Sequence, residues 1–226
     1  MLEIKDLTKK YNNRIILDNI NFTFKDNKIY GIIGKNGAGK TTFFNILDQN
    51  IKSDGGEVIL DKNKILESDV SLVPTTPNVP LFLTGREFLE FYLEINKKKK
   101  SVSEYFEMVN ISLEDQDKIM KEYSTGMKSK IQTLVNIISD KKVLLLDEPF
   151  TSLDILVQEQ MKKLLREIKK NKIIVITTHI LEIAIELCDE IIILKDGKFN
   201  LIEKKDLNDN EYKKKIIQSL ECENVN

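Results

Sequence analysis

Cysteine is nearly absent from this chain, and the two present, Cys188 and Cys222, offer neither a disulfide framework nor metal-ligand spacing. Cys188 lies in "ELCDEIIIL", where its simplest reading is a small buried hydrophobe. Arginine occurs only at Arg14, Arg86 and Arg166, so almost all positive charge is lysine. Bidentate anion recognition by guanidinium is therefore scarce, and any phosphate site must rely on Lys and backbone N–H. An excess of either charge is also missing. Charged residues make up 31% of 226, yet they sum to −1, which argues against a dedicated nucleic-acid binder. No uncharged apolar run reaches the roughly 18 residues of a membrane span. "MLEIKDLTKKY", charged from Glu3 onward, does not read as a signal peptide. Together these absences predict a soluble, cytoplasmic protein. Histidine is down to one residue, His179 in "KIIVITTHILEIA", where a run of β-branched residues stops. Taken alone, such a histidine is more often packed than catalytic.

What is present suffices for one large domain or two small ones, with an ordinary 41% of hydrophobic residues to build a core. The first sixty residues read as strands and turns. "INFTFK" alternates Ile20, Phe22 and Phe24 with polar neighbours, "KIYGIIG" is a short apolar strand, and "GGEVILD" is a strand entered through a Gly55-Gly56 turn. "KTTFFNILDQNI" reads as a helix with Phe43, Phe44, Leu47 and Ile51 along one face. From about Leu81 to Ser139 the pattern is helical, in "TGREFLEFYLEI", "SVSEYFEMV" and "KSKIQTLVNIIS", with "KKKK" at 97–100 a solvated loop or helix end. Strand and helix then alternate. "KKVLLLDEP" and "NKIIVITTH" are near-continuous apolar runs, as in parallel strands buried on both faces, and "ILVQEQMKKLLREIKK" is the crossover helix. "EIIILKDGKFNLI" is a hairpin at Asp196-Gly197, followed by a polar tail with some helical character. There is no internal repeat and no Pro/Gly/Ser-rich linker.

"GKNGAGKT", Gly34 to Thr41, fits the phosphate-loop pattern, with a strand before it and a helix after it. Gly37 and Gly39 let the backbone curl so that successive N–H groups converge on phosphate oxygens, and the following helix N-terminus adds partial positive charge. Lys40 can reach the β- and γ-phosphates, and the Thr41 hydroxyl can ligate Mg²⁺. A chance match in a chain this long arises on the order of 1% of the time. "VLLLDEPF" adds Asp147 and Glu148 at the end of a buried strand, where adjacent carboxylates are costly in a plain core. Beside a Mg-nucleotide they have roles: Asp147 to hold the metal, Glu148 to orient and deprotonate the attacking water.

With these motifs in this order, nearly the whole chain resembles the ATP-binding subunits of ABC transporters. "YSTGMKSK" from Tyr123 is similar to the family signature, with Ser124 and Gly126 matching, Thr125 in place of a glycine and Met127 in place of glutamine. "SLD", Ser152 to Asp154, resembles the loop that communicates across the family's dimer, and Lys130 stands where many members carry arginine. The resemblance implies an α/β phosphate-loop NTPase core with a mostly parallel sheet, an N-terminal antiparallel β-subdomain and an inserted helical subdomain. One domain then spans 1–226: core and β-subdomain at 1–80 and 140–205, helical subdomain at about 81–139, tail at 206–226. ATP and Mg²⁺ are the implied cofactors. The nucleotide site would comprise Gly34, Lys35, Asn36, Gly37, Ala38, Gly39, Lys40, Thr41 and Thr42, with Tyr11 stacking on adenine. Ser124 and Gly126 would cap the nucleotide of a second copy. His179 falls at the family's switch histidine, and Thr41, Asp147 and Thr75 at its metal-facing positions.

The pattern frays at "SLVPTTPNVP", where Thr75 replaces the usual glutamine with a shorter hydroxyl between Pro74 and Pro77. The resemblance implies an ATPase that dimerises on ATP and powers a separate integral membrane subunit. It would lie peripherally on the inner face of the cell membrane, with no nucleic acid as partner. The Met127 form of the signature points to export. Two alternatives stay open: a soluble ATPase of the same family, and a slow nucleotide-dependent interaction switch, which Thr75 motivates.

Overall fold

The computed structural model describes residues 1–151, 153–203 and 209–221. Two long strands, β1 (Leu2–Tyr11) and β2 (Arg14–Phe24), are joined by Asn12 and Asn13 at φ 45° and 65°, the left-handed turn that Asn tolerates. Next come β3 (Lys28–Ile33), α1 (Lys40–Leu47), β4 (Gly55–Leu60), β5 (Asn63–Lys64) and β6 (Val70–Val73). A helical stretch holds α2 (Gly85–Ile95), α3 (Val102–Met108), α4 (Leu113–Gln116) and α5 (Thr125–Ser139). Each of these four starts at a Ser or Thr whose hydroxyl accepts a hydrogen bond from a first-turn backbone N–H. The remainder alternates: β7 (Val143–Asp147), α6 (Ile155–Ile168), β8 (Ile173–Thr177), α7 (Leu181–Leu187), β9 (Glu190–Lys195), β10 (Lys198–Ile202) and α8 (Asp209–Glu221). Among the described residues no helix is long and apolar enough to cross a membrane.

Two sheets form. An antiparallel sheet has the order β2-β1-β4-β5; the larger runs β10-β9-β3-β8-β7-β6, parallel throughout except for β10 at its edge. Alternation explains the layering. Leu144, Leu146, Ile174 and Ile176 face a core shared with α2, α5 and α6, whereas Val143, Leu145, Ile173 and Val175 face a second core shared with α1 and the antiparallel sheet. Strands buried on both faces need apolar side chains at every position, which is why these segments show no polar alternation. The expected α/β core, antiparallel N-terminal sheet and helical insert are all present.

Three local expectations change. Gly55 and Gly56 do not precede the strand but lie inside β4, where Gly56 at φ 78° faces a register shift between Lys5 and Thr8 of β1. A Cβ there would sit 2.4 Å from the backbone of Asp6, so glycine serves close strand approach at a bulge. Helix α1 stops at Leu47, with Gln49 left-handed at φ 61°, and Ile51 reaches the second core from the turn beyond. The tail is more than polar chain: α8 buries Tyr212 and Ile216 against Ile191 and Ile193 of β9, and the Tyr212 hydroxyl donates to Ile202 O at 2.9 Å. Cys188 packs beside Gly31 and Ala184 as a small hydrophobe. Ser152 and Cys222 lie outside the described residues.

Candidate active site

The C-terminal ends of β3, β8 and β7 lie side by side, with Ile32 opposite Thr177 and Thr177 opposite Asp147. This edge is where parallel α/β sheets hold ligands, because the loops leaving adjacent strands diverge and leave a crevice. The glycine-rich loop leaves β3 there. Gly37 and Gly39 take φ 80° and 107°, and a Cβ at Gly39 would lie 2.9 Å from the Ile16 side chain. The loop then enters α1, whose N-terminus faces the crevice with its partial positive charge.

Lys40 is 8% exposed, and its ammonium donates to Gly34 O at 2.8 Å and Lys35 O at 3.4 Å while lying 3.9 Å from Glu148 Oε1. Thr41 Oγ1 donates to Asp147 Oδ2 at 2.9 Å. Asp147 is buried, and its other oxygen accepts from Thr177 Oγ1 at 2.5 Å. Glu148, 14% exposed, points Oε2 to within 2.8 Å of Nδ1 of His179, which is 58% exposed. A carboxylate sheltered behind a solvent-facing imidazole is an arrangement suited to holding and accepting a proton from water.

Lys40, Thr41, Thr42, Thr75, Asp147 and Glu148 line one cavity of about 250 Å³, together with the loop residues Asn36, Gly37 and Gly39 and with Ile16. A neighbouring cavity of about 780 Å³ shares Ile16, Asn36 and Gly37, and adds Lys35, Ala38 and Arg14. The smaller cavity is lined by Lys40, Asp147 and Glu148; the larger has the volume of a ligand site but neither of those carboxylates. The donors that meet around Thr41 and Asp147 are hydroxyl and carboxylate oxygens, the set that Mg²⁺ accompanying a phosphate ligand prefers. The residues present therefore fit that ion.

Of the residues expected from sequence, Tyr11 and the signature pair stand apart. Tyr11 lies at the end of β1, 46% exposed, outside both cavities, with the Lys9 ammonium 5.2 Å above its ring. Ser124 caps α5 by accepting from the Met127 N–H at 3.1 Å, and Gly126 packs near Val157 and Leu153; neither lines the phosphate cavity. Lys130 is buried on α5; burial lowers its pKa, with the charge of Asp154 opposing. Thr75 sits in a loop tied to α5 by the Asn78 N–H, which donates to Gln132 at 2.5 Å. Ile16 and Thr177 were not anticipated. A hydroxyl ending the run "IIVITT" was the available signal for Thr177; Ile16 had none, since only the folded hairpin brings it over Gly39.

Fold and site together define a phosphate-loop nucleoside triphosphatase. A family model described as ABC transporter matches residues 17–151, more than half of the chain, and the chain belongs to that family as one of its ATP-binding subunits, an ATPase. It is 31% identical over 210 residues to the Bacillus subtilis ABC transporter ATP-binding protein YhcH, covering 88% of this chain and 68% of that one. It is also 31% identical over 209 residues to a probable sulfate/thiosulfate import ATP-binding protein CysA of Chlorella vulgaris, covering 86% and 87%. A dimeric post-hydrolysis structure of the ATP-binding cassette MJ0796, bound to ADP and Pi, is similar with TM-score 0.76 and 26% identity over 88% of this chain and 97% of that one.

Proposed function

We infer that this chain closes with a second ATP-binding subunit on ATP, hydrolyses it, and so powers a separate integral membrane subunit for export. The contact of Glu148 with His179 at 2.8 Å, beside an Asp147 braced by Thr41, carries the reading. Glu148 accepts the proton of the attacking water and His179 positions that water against the γ-phosphate. Lys40 exchanges its carbonyl partners for phosphate oxygens, and the backbone of residues 34–42 wraps the phosphate chain. Thr41 and Asp147 would hold Mg²⁺, and Thr75 lines the same cavity. Bound there, Mg²⁺ would supply positive charge to offset that developing on the transferred phosphoryl group. Tyr11 offers an exposed ring for the adenine, a stack worth about 1–3 kcal/mol.

Ser124 and Gly126, which line neither cavity and lie at the N-terminus of a 15-residue helix, are suited to the nucleotide of the partner copy. The dimeric state of the related cassette MJ0796 supports this closure. Met127 in the signature favours export, and the protein would sit on the inner face of the membrane through its membrane subunit. Thr75 favours a second reading, a slow nucleotide-dependent switch.

Multiple-turnover hydrolysis by the full chain, with Glu148→Gln as blank, tests the reading. The wild type should exceed the blank by at least about 100-fold, and Glu148→Gln with ATP should sediment as a dimer. Equal rates would leave the switch as the function.

A further inference from the structure

We propose that Thr177 is a positioning residue of the hydrolytic site, its one hydroxyl setting both Asp147 and Glu148. The proposal rests on the roles assigned above to those two carboxylates.

Thr177 ends β8, fully buried, between Ile32 of β3 and Asp147 of β7. The preceding residues of the strand, Ile173 to Ile176, are all apolar, so a hydroxyl in this row is costly unless bonded. It is bonded in both senses: Oγ1 donates to Asp147 Oδ1 at 2.5 Å and accepts from the Glu148 N–H at 2.9 Å. The first bond leaves Oδ2 of Asp147 to Thr41, so two hydroxyls fix the plane of the carboxylate. The second anchors the peptide entering Glu148, whose φ of 51° is left-handed and strained for a residue with a Cβ. Glu148 is thereby turned toward His179, carried two residues beyond Thr177 on the same chain segment.

Valine would satisfy the strand and its packing equally well, so β structure alone does not call for a hydroxyl here. What threonine adds is a link from the residue that faces the metal to the residue that faces the water. Partners of this kind, bonded to a ligating carboxylate, typically change affinity or activity 10–100-fold when removed.

The test compares wild type, Thr177→Val and Thr177→Ser as full chains, with Asp147→Asn and Glu148→Gln as controls. ATP affinity is titrated against Mg²⁺ and in EDTA, turnover is measured at saturating ATP, and thermal unfolding is followed for each. Thr177→Val should bind ATP in EDTA like the wild type and need about tenfold more Mg²⁺ for the Mg²⁺-dependent gain in affinity. Its kcat should fall about 10–100-fold with KM for ATP little changed, and Thr177→Ser should restore both. A Thr177→Val protein with wild-type Mg²⁺ response and kcat, or a Thr177→Ser protein equally impaired, would overturn the proposal. Controls that left Mg²⁺ response and turnover intact would overturn the carboxylate assignment itself.

Discussion

Glu148 holds a backbone conformation that a β-carbon disfavours, at φ 51°, and strain of this kind costs on the order of 1–3 kcal/mol. It persists because the Thr177 hydroxyl and the His179 ring both engage the residue. His179 itself is exposed on one side and makes no other side-chain hydrogen bond among those described, so its removal should leave the fold intact. His179→Ala is expected to keep ATP affinity within a few-fold and lose hydrolysis by about 100-fold or more, as measured by equilibrium nucleotide binding beside steady-state phosphate release. Unchanged turnover would remove the residue from the mechanism. The lone histidine was ambiguous in isolation. Its contact with Glu148 is not visible in any local stretch, because folding brings together two groups that the sequence holds 31 positions apart.

At the scale of elements, α2 and α5 are coupled through a close approach. Gly85 starts α2 against the ring of Tyr123, whose hydroxyl donates to Asp115 O at 2.6 Å, and Tyr123 immediately precedes Ser124 at the cap of α5. A Cβ at Gly85 would stand 2.2 Å from that hydroxyl. Gly85→Ala should therefore destabilise the protein by about 1–3 kcal/mol through overpacking, read from urea unfolding. Gly126→Ala makes a sharp control. Its Cβ would meet Val157 at 3.6 Å, an ordinary contact in a helix, so stability should hold within about 0.5 kcal/mol. The two glycines look alike in the sequence, and only the tertiary neighbours separate them.

Across the whole molecule, the helical segment is fastened to the core by charge as well as by apolar packing. Asp140, which ends α5, accepts from Lys172 at 2.6 Å and from Lys98 at 2.8 Å. Burial pushes its pKa up, but these two hydrogen bonds outweigh it and hold the carboxyl below its ordinary value. Asp26 behaves alike: burial raises it, and Lys142 with the N-terminal ammonium bring it down. A carboxyl depressed in the folded state contributes stability above its unfolded pKa, near 4, and loses it as pH falls through the folded value. Unfolding free energy should therefore be level from about pH 7 to 5 and decline below about pH 4. Asp140→Asn should lower it at pH 7 by less than about 1 kcal/mol, since the side chain is 57% exposed, and should flatten the acid decline. An acid limb as steep as the wild type's would show that Asp140 takes no part.

The sequence alone determined the fold class, the phosphate loop and the acidic strand end, because each is a local pattern. Apolar runs specify buried parallel strands, glycines specify the curl between strand and helix, and a carboxylate after an apolar run has few other uses. The tertiary structure alone decided which neighbours complete the site. Thr177 meets Asp147 and Glu148 because β8 pairs with β7 in one register, and Ile16 covers Gly39 because the N-terminal hairpin folds back over the loop. Gly56 at a bulge and α8 on β9 likewise depend on contacts between distant segments, which pairing register and packing set and which no local window of the chain contains.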